Sequence, residues 1–452
     1  MIVEEFIRNL FRKIKVWLVG SDEMSSLYFD QVGLSSVIKF ISIIISIILV
    51  PLVLGYLNQE KYGIWVTLTT IVQWIRLLDV GMGNGMRNKL SESIALGQAR
   101  QGRIYVSTTY VILGTIFLSA LLLFYVVNPY LNWNAILNTE NISNQELMNL
   151  SKVVVTFVIL GFILHPVVLV YTAHGNSAAG GFIQLIISML SLALIWLVSK
   201  FAAEGNLILL GWIVTGIPVL VYIVVSVYTF FVKYPQFRPS FRLIRIRQSG
   251  NLLKLSAQFF IVQITATITY SSIPFIVAQL FSPNEVTIYS ISNSIFNLPI
   301  MLISLITAPI LPLVTQAFAR HDFSWIRTML RKLNIVSLIL VGGTVLMIVL
   351  SPIIYKIWIG DKVLIPFNLS LVIGIYTMLS IMVTPFSTFL NGTGRIRLLV
   401  ILAPIGIMTF IGFSILFSRL FDNVIGVPIA LSISALVGLL IIPPELRKYL
   451  QK

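Results

Sequence analysis

There is no cysteine among the 452 residues. Disulfides, iron–sulfur clusters and thiolate metal sites are therefore excluded. Histidine is almost as scarce, and His165, His174 and His321 are scattered rather than set at ligand spacing, so neither a metal site nor a cofactor is expected. Charge is scarce as well, with 10% Asp, Glu, Lys and Arg where soluble globular chains carry about 25%. What fills the chain is apolar: 57% of residues are hydrophobic and the mean hydropathy is +0.96. The apolar residues fall into unbroken blocks of about 20, the length that crosses a bilayer as a helix, rather than the short alternating segments of an outer-membrane barrel. The expected fold is an all-α polytopic membrane protein.

Twelve blocks can be counted, at about 33–57, 62–83, 104–127, 153–174, 178–198, 207–232, 255–281, 286–316, 333–355, 365–390, 398–418 and 424–444. The net charge of +15 does not point to nucleic acid, because the basic residues lie in short connections between apolar blocks, where they set membrane orientation. With both termini on the cytoplasmic side, 24 Lys and Arg fall inside and six outside, and Arg76 lies within a span. That asymmetry supports the count and the orientation together. Residues 1–32 do not have the pattern of a signal peptide, since two glutamates precede any hydrophobic core. Val3, Phe6, Leu10, Phe11, Ile14, Trp17 and Leu18 instead recur at helical spacing opposite basic residues, as in a cytoplasmic helix lying in the headgroup layer.

The basic stretch 233–254 is the longest cytoplasmic connection and separates six spans from six. It divides a lobe at 33–232 from a second at 255–452. The segment from Pro51 can be laid on that from Pro274 with one gap, matching Leu57 to Leu280 and Trp65 to Tyr289, which suggests a parallel internal repeat.

Ionisable groups at depth are costly unless they face protein or water. Charged residues occur only in the first two spans. Ser35, Lys39, Ser42 and Ser46 stack on one face of the first, and Thr69, Gln73, Arg76, Gly83 and Arg87 form a stripe along the second, with Asp79 one turn from Arg76. In the second half, Lys254, Gln258, Thr265, Thr269 and Ser272 line the seventh span, and Ser290, Asn293, Asn297 and Ser304 line the eighth. The four stripes are expected to border a shared cavity. Neutral members also suit interhelical hydrogen bonding, and Asp79 suits an i,i+3 partner that neutralises Arg76. Pro299, Pro309, Pro312, Pro385 and Pro404 are expected to bend their helices.

Between Leu77 and Glu92 the chain reads LLDVGMGNGMRNKLSE, and Gly81, Gly83 and Gly85 form GxGxG. This differs from the GxGxxG dinucleotide fingerprint and follows a transmembrane helix rather than a strand. The glycines are expected to end a helix or let it approach a neighbour closely.

The same stretch resembles the segment after the second helix of the polysaccharide transporters, the Wzx-type O-antigen flippases of the multidrug/oligosaccharidyl-lipid/polysaccharide (MOP) exporter superfamily. There a D-x-G-x-G-N-G-x-R-N-like run precedes a short cytoplasmic helix. Asp79, Gly81, Gly83, Asn84, Gly85, Arg87 and Asn88 match it. The resemblance implies a two-lobed, alternating-access flippase, not an enzyme, which moves an undecaprenyl-pyrophosphate-linked oligosaccharide across the bacterial inner membrane. Lys39, Arg76, Arg87 and Lys254 would then meet the pyrophosphate, with Gln73, Ser42, Gln258, Asn293 and Asn297 as polar lining. The expected partners are this substrate and membrane lipids, with polysaccharide polymerases as candidate protein partners, on a monomer with no nucleic acid. A coupling ion, proton or sodium, is left open.

Two other functions remain. A multidrug or small-solute cation-coupled antiporter of the same superfamily generally carries a membrane-embedded acid in the first or seventh helix, and neither span has Asp or Glu here. The lipid II flippase has fourteen helices against the twelve counted here. A membrane polymerase or ligase would need catalytic residues in a large outer loop, whereas 128–152 offers only Glu140 and Glu146.

Overall fold

A chain this apolar can satisfy its backbone in a bilayer only within helices or a closed barrel. The computed structural model describes residues 23–79, 81–201, 205–245, 249–308, 310–393 and 397–450, and these form helices joined by short turns, with no strand among the described residues. The basic amphipathic segment expected at the N-terminus lies largely outside the described residues.

In chain order the helices are α1 (Glu23–Tyr56), α2 (Gln59–Gln73), α3 (Met82–Ala95), α4 (Ala99–Val127), α5 (Trp133–Leu137), α6 (Asn144–Leu164), α7 (Pro166–Ala173) and α8 (Ser177–Phe201). They continue as α9 (Leu207–Tyr228), α10 (Ser249–Leu280), α11 (Pro283–Thr307), α12 (Ile310–Ala319), α13 (Phe323–Ile359), α14 (Phe367–Gly392), α15 (Arg397–Phe421) and α16 (Gly426–Leu450). Among the described residues, ten stretches are long and apolar enough to cross a membrane. The second and seventh expected crossings fall on α2, whose 15 residues run into a 3-10 turn at Trp74–Asp79, and on α10, of 32 residues.

Three expected continuous spans are interrupted. The second breaks at that 3-10 turn, the fourth at His165 between α6 and α7, and the eighth between α11 and α12. Pro166 explains the second break, because it has no N–H to donate into the preceding turn. Pro299, Pro385 and Pro404, by contrast, lie inside α11, α14 and α15 without ending them. The proposed repeat has a local counterpart. Pro51 and Pro274 each sit inside a helix, α1 and α10, and each helix is followed by a two-residue connection, Leu57-Asn58 or Phe281-Ser282.

The chain forms two compact units, Ile38–Val286 and Met1–Val37 with Thr287–Lys452. In the first, α1 packs on α8 through Ile38, Ile45 and Leu185. Met86 and Leu90 of α3 are buried with Val106 of α4, Val167 and Val170 of α7, and Phe230 and Phe237. The seventh expected span, α10, packs on α2 and α3 of this unit. Packing units therefore divide the chain differently from the six-and-six pattern, which stands as a proposal about lobes.

The basic connection is bonded to this unit along its first part. Lys233 Nζ lies 4.7 Å over the Tyr171 ring, Arg103 Nε donates to the Arg238 carbonyl at 2.7 Å, and the Ser240 and Arg245 amides donate to Ser107 Oγ and Thr108 Oγ1 at 2.9 and 3.0 Å. At the connection between α4 and α6, Glu60 of α2 accepts from Thr139 Oγ1 at 2.7 Å and from Asn141 Nδ2 at 2.8 Å. Asn138 donates to the carbonyls of Ala278 and Phe281 at the end of α10. The loop's polar groups serve to tie helix ends together.

In the other unit, Ile310 and Val314 of α12 are buried with Ile326, Met329 and Leu333 of α13, Phe389 of α14 and Leu446 of α16. Tyr355 of α13 links Ser292 of α11 to Ser370 of α14 through hydroxyl contacts of 2.9 Å each.

A candidate anion site around Arg76

Within the unit Ile38–Val286, the GxGxG stretch starts a helix. Gly81 is the N-cap of α3 at φ +76°, a left-handed backbone that a side chain would strain. The Gly83 amide donates to Asp79 Oδ1 at 3.1 Å, and a Cβ on Gly83 would lie 2.9 Å from Leu169 Cδ1 of α7. The Gly85 amide then donates to the Gly81 carbonyl at 3.0 Å. The motif therefore lets the chain turn from the second span into a helix packed closely on α7.

This changes the role of Asp79. Instead of pairing with Arg76, its carboxylate satisfies an amide at the start of α3, where a negative charge also meets the helix dipole favourably. Replacing Asp79 with alanine is expected to cost about 1 kcal/mol, whereas asparagine keeps the accepting oxygen and most of the stability. Thermal unfolding of the two purified variants in detergent distinguishes the outcomes, and equal losses would contradict the capping role.

Arg76 itself lies on the 3-10 turn, whose Trp74 ring packs edge-on against Phe275 of α10 at 6.2 Å. Its side chain is exposed and makes no hydrogen bond or salt bridge to any described residue. The His165 and Tyr222 rings meet edge to face, 5.9 Å between centroids at 77°. Sequence reasoning passed over both residues. The available signal was His165, an ionisable group directly before a proline inside an apolar block.

Of the other expected site residues in this unit, Lys39 and Gln73 are exposed and have no hydrogen bond to a described residue. Arg87 is half-buried and directs Nε and Nη2 at Asn88 Oδ1, at 3.2 and 3.1 Å. Ser42 and Ser46 donate to carbonyls four residues back in their own helix, so they do not provide the interhelical bonds that serine can make. In the other unit, Asn293 is half-buried and Asn297 exposed on α11, neither with a hydrogen bond to a described residue. Lys254 and Gln258 fall on α10, and their side chains, like that of Asn84, lie outside the described set. No hydrogen bond or ion pair joins Lys39, Arg76 and Arg87.

A model of the MatE family matches residues 258–416. The putative O-antigen export protein of Yersinia pseudotuberculosis is 19% identical over 81% of this chain and 83% of its own length. The putative O-antigen transporter of Salmonella typhimurium strain LT2 is 21% identical over 86% of each. Among solved structures, an inward-facing multidrug resistance MATE family transporter of the MOP superfamily aligns with a TM-score of 0.73 at 12% identity, covering 98% of this chain and 99% of that one. The chain is thus similar to membrane transporters of the MOP superfamily and shares their fold. The lipid II flippase MurJ in its inward closed conformation aligns with a TM-score of 0.68 at 16% identity, over 92% of this chain and 89% of that structure. A multidrug transporter and a flippase thus share the fold of this chain, and what separates the two functions must come from side chains.

Proposed function

We propose that the transporter moves an undecaprenyl-pyrophosphate-linked oligosaccharide, an O-antigen or similar surface repeat unit, across the bacterial inner membrane by alternating access. The observation that carries this is Arg76, a permanently charged group on an expected span with no carboxylate, or any other described residue, bonded to it. A cation at membrane depth with no bonded partner costs several kcal/mol unless it faces water or an anion. A guanidinium fits the oxygens of a phosphate in a bidentate manner. Two relatives named for O-antigen export point to the same class of cargo. The first and seventh expected spans contain no acid that would hold a cationic drug or a coupling ion.

In this reading Arg76 is the first phosphate ligand, with Lys39, Arg87 and Lys254 as accessory cations. Gln73, which makes no hydrogen bond to a described residue, is available for sugar hydroxyls. Transport needs no bond to be made or broken, and no residue is assigned a catalytic role.

A deletion strain separates this function from drug export. Loss of surface glycan with unchanged drug susceptibility is expected. Unchanged glycan with increased susceptibility would contradict the proposal and favour an antiporter.

A further inference from the structure

Three of the apolar crossing stretches have an end at one place in the unit Ile38–Val286. One begins at Ala99, a second ends at Ala173 and a third at Lys233. Contacts join them: Arg103 Nε donates to the Arg238 carbonyl at 2.7 Å, and Lys233 Nζ lies 4.7 Å over the Tyr171 ring. The connection that leaves α9 here passes through a π-helical turn at Thr229–Lys233 and 3-10 turns at Pro235–Phe237 and Phe241–Leu243. It therefore runs along the boundary where the crossing stretches end.

Six cations belong to this place: Arg100 and Arg103 of α4, with Lys233, Arg238, Arg242 and Arg245 of the connection. No carboxylate answers them. The sequence has no Asp or Glu from Ser93 to Thr139, from Leu147 to Ala203 or from Gly205 to Asn284. On α3, which packs on α4, the acid is Glu92, and Lys89 holds it at 2.7 Å. None of the six cations forms a salt bridge with a described residue.

The guanidinium groups are also free of structural duty, because main-chain atoms and one buried ring hold the connection in place. The Arg238 carbonyl accepts from Arg103, and the Ser240 and Arg245 amides donate to Ser107 and Thr108 of α4. Phe237 is buried against Gly102, where a Cβ would lie 2.7 Å from its ring. The side chains of Arg238, Arg242 and Arg245 remain exposed. Arg238 lies 4.2 Å over the Phe231 ring, Arg245 Nη1 reaches only the neighbouring Ile244 carbonyl, and Arg242 has no hydrogen bond to a described residue. Interleaved with them are exposed apolar groups, Tyr228, Phe231 and Val232, and Phe241 at 86% exposure. Aromatic rings and cations in alternation at the end of a crossing helix suit the layer where hydrocarbon gives way to headgroups.

We propose that the connection from Lys233 to Arg245, together with Arg100 and Arg103, binds the headgroups of anionic phospholipids at this edge of the bilayer. The guanidinium groups meet the phosphates, and Phe231, Val232 and Phe241 meet the upper acyl chains. An acidic protein segment would satisfy the cations but would leave these apolar groups without a role. The surface is independent of the cargo and of Arg76.

The test uses the full-length protein in neutral detergent and measures binding of phosphatidylglycerol and phosphatidylcholine by native mass spectrometry. The triple variant Arg238→Gln, Arg242→Gln, Arg245→Gln is expected to bind phosphatidylglycerol about 100-fold more weakly. Phosphatidylcholine binding and the lipid-free melting temperature should not change, since the three side chains carry none of the contacts that hold the connection to α4. A second triple variant, Arg320→Gln, Lys356→Gln, Lys362→Gln, removes the same charge from the other unit and should retain wild-type affinity. Wild-type phosphatidylglycerol affinity in the first variant would overturn the proposal, as would an equal loss in the second. Tighter binding of a glutamate decapeptide than of phosphatidylglycerol would assign the surface to an acidic protein and overturn the lipid assignment. Displacement of the lipid by millimolar glycerol phosphate would assign it to a soluble anion and overturn it as well.

Discussion

Arg76→Ala is expected to abolish surface glycan when it is the only copy in a deletion strain, while Arg76→Lys retains part of it. Charge-assisted hydrogen bonds are worth about 1.5–3 kcal/mol each, and a guanidinium can make two to one phosphate, so the loss at the site is about 100-fold or more. Lysine keeps the charge but loses the planar fork, which is why the conservative change is expected to be intermediate. A merely structural Arg76 predicts something else. The side chain has no hydrogen bond or ion pair to lose, so a structural role would leave alanine with near-normal glycan. Full complementation by alanine at normal protein levels would remove Arg76 from the substrate site.

The second large effect concerns folding. Gly426 opens α16, and a Cβ there would run into backbone atoms of Phe417 and Ser418 on α15. Side-chain overpacking costs about 1–3 kcal/mol, and more where the obstacle is backbone that cannot turn aside. Gly426→Ala is therefore expected to lower the melting temperature in detergent strongly and to reduce the amount of protein in the membrane. Gly412 is the natural control, since it lies inside α15 with nothing within 4 Å of the position of its Cβ. Alanine there should be neutral, or stabilising by about 0.5–1 kcal/mol through helix propensity. Equal melting temperatures for the two variants would contradict the close approach of α15 and α16.

The class of fold was legible in the sequence because bilayer thickness dictates block length, and block length is visible in a chain with so few charges. Interruptions inside blocks were harder to see. The break at His165 could have been read from Pro166, but the 3-10 turn at Trp74–Asp79 has no such mark, since it is the capping of α3 by Asp79 and Gly81 that ends the second span. Gly81 and Gly83 could be read as a tight turn and a close approach because glycine has few other uses at that density, and both roles are seen. Asp79 could not be assigned from spacing, because three residues from Arg76 and four from Gly83 suit an ion pair and a cap equally well. The packing of α10 with α2 and α3 was also hidden, since apolar faces do not name their partners. The contact of the His165 and Tyr222 rings was hidden for the same reason.

The central claim is that Arg76 serves a lipid-linked pyrophosphate, and the direct measurement is translocation in vesicles reconstituted with the purified transporter. A polyprenyl-pyrophosphate-linked oligosaccharide placed in one leaflet should reach the other with wild-type protein and remain behind with Arg76→Ala. Equal translocation by the two proteins, or export of a cationic drug with the lipid-linked sugar left in place, would contradict it.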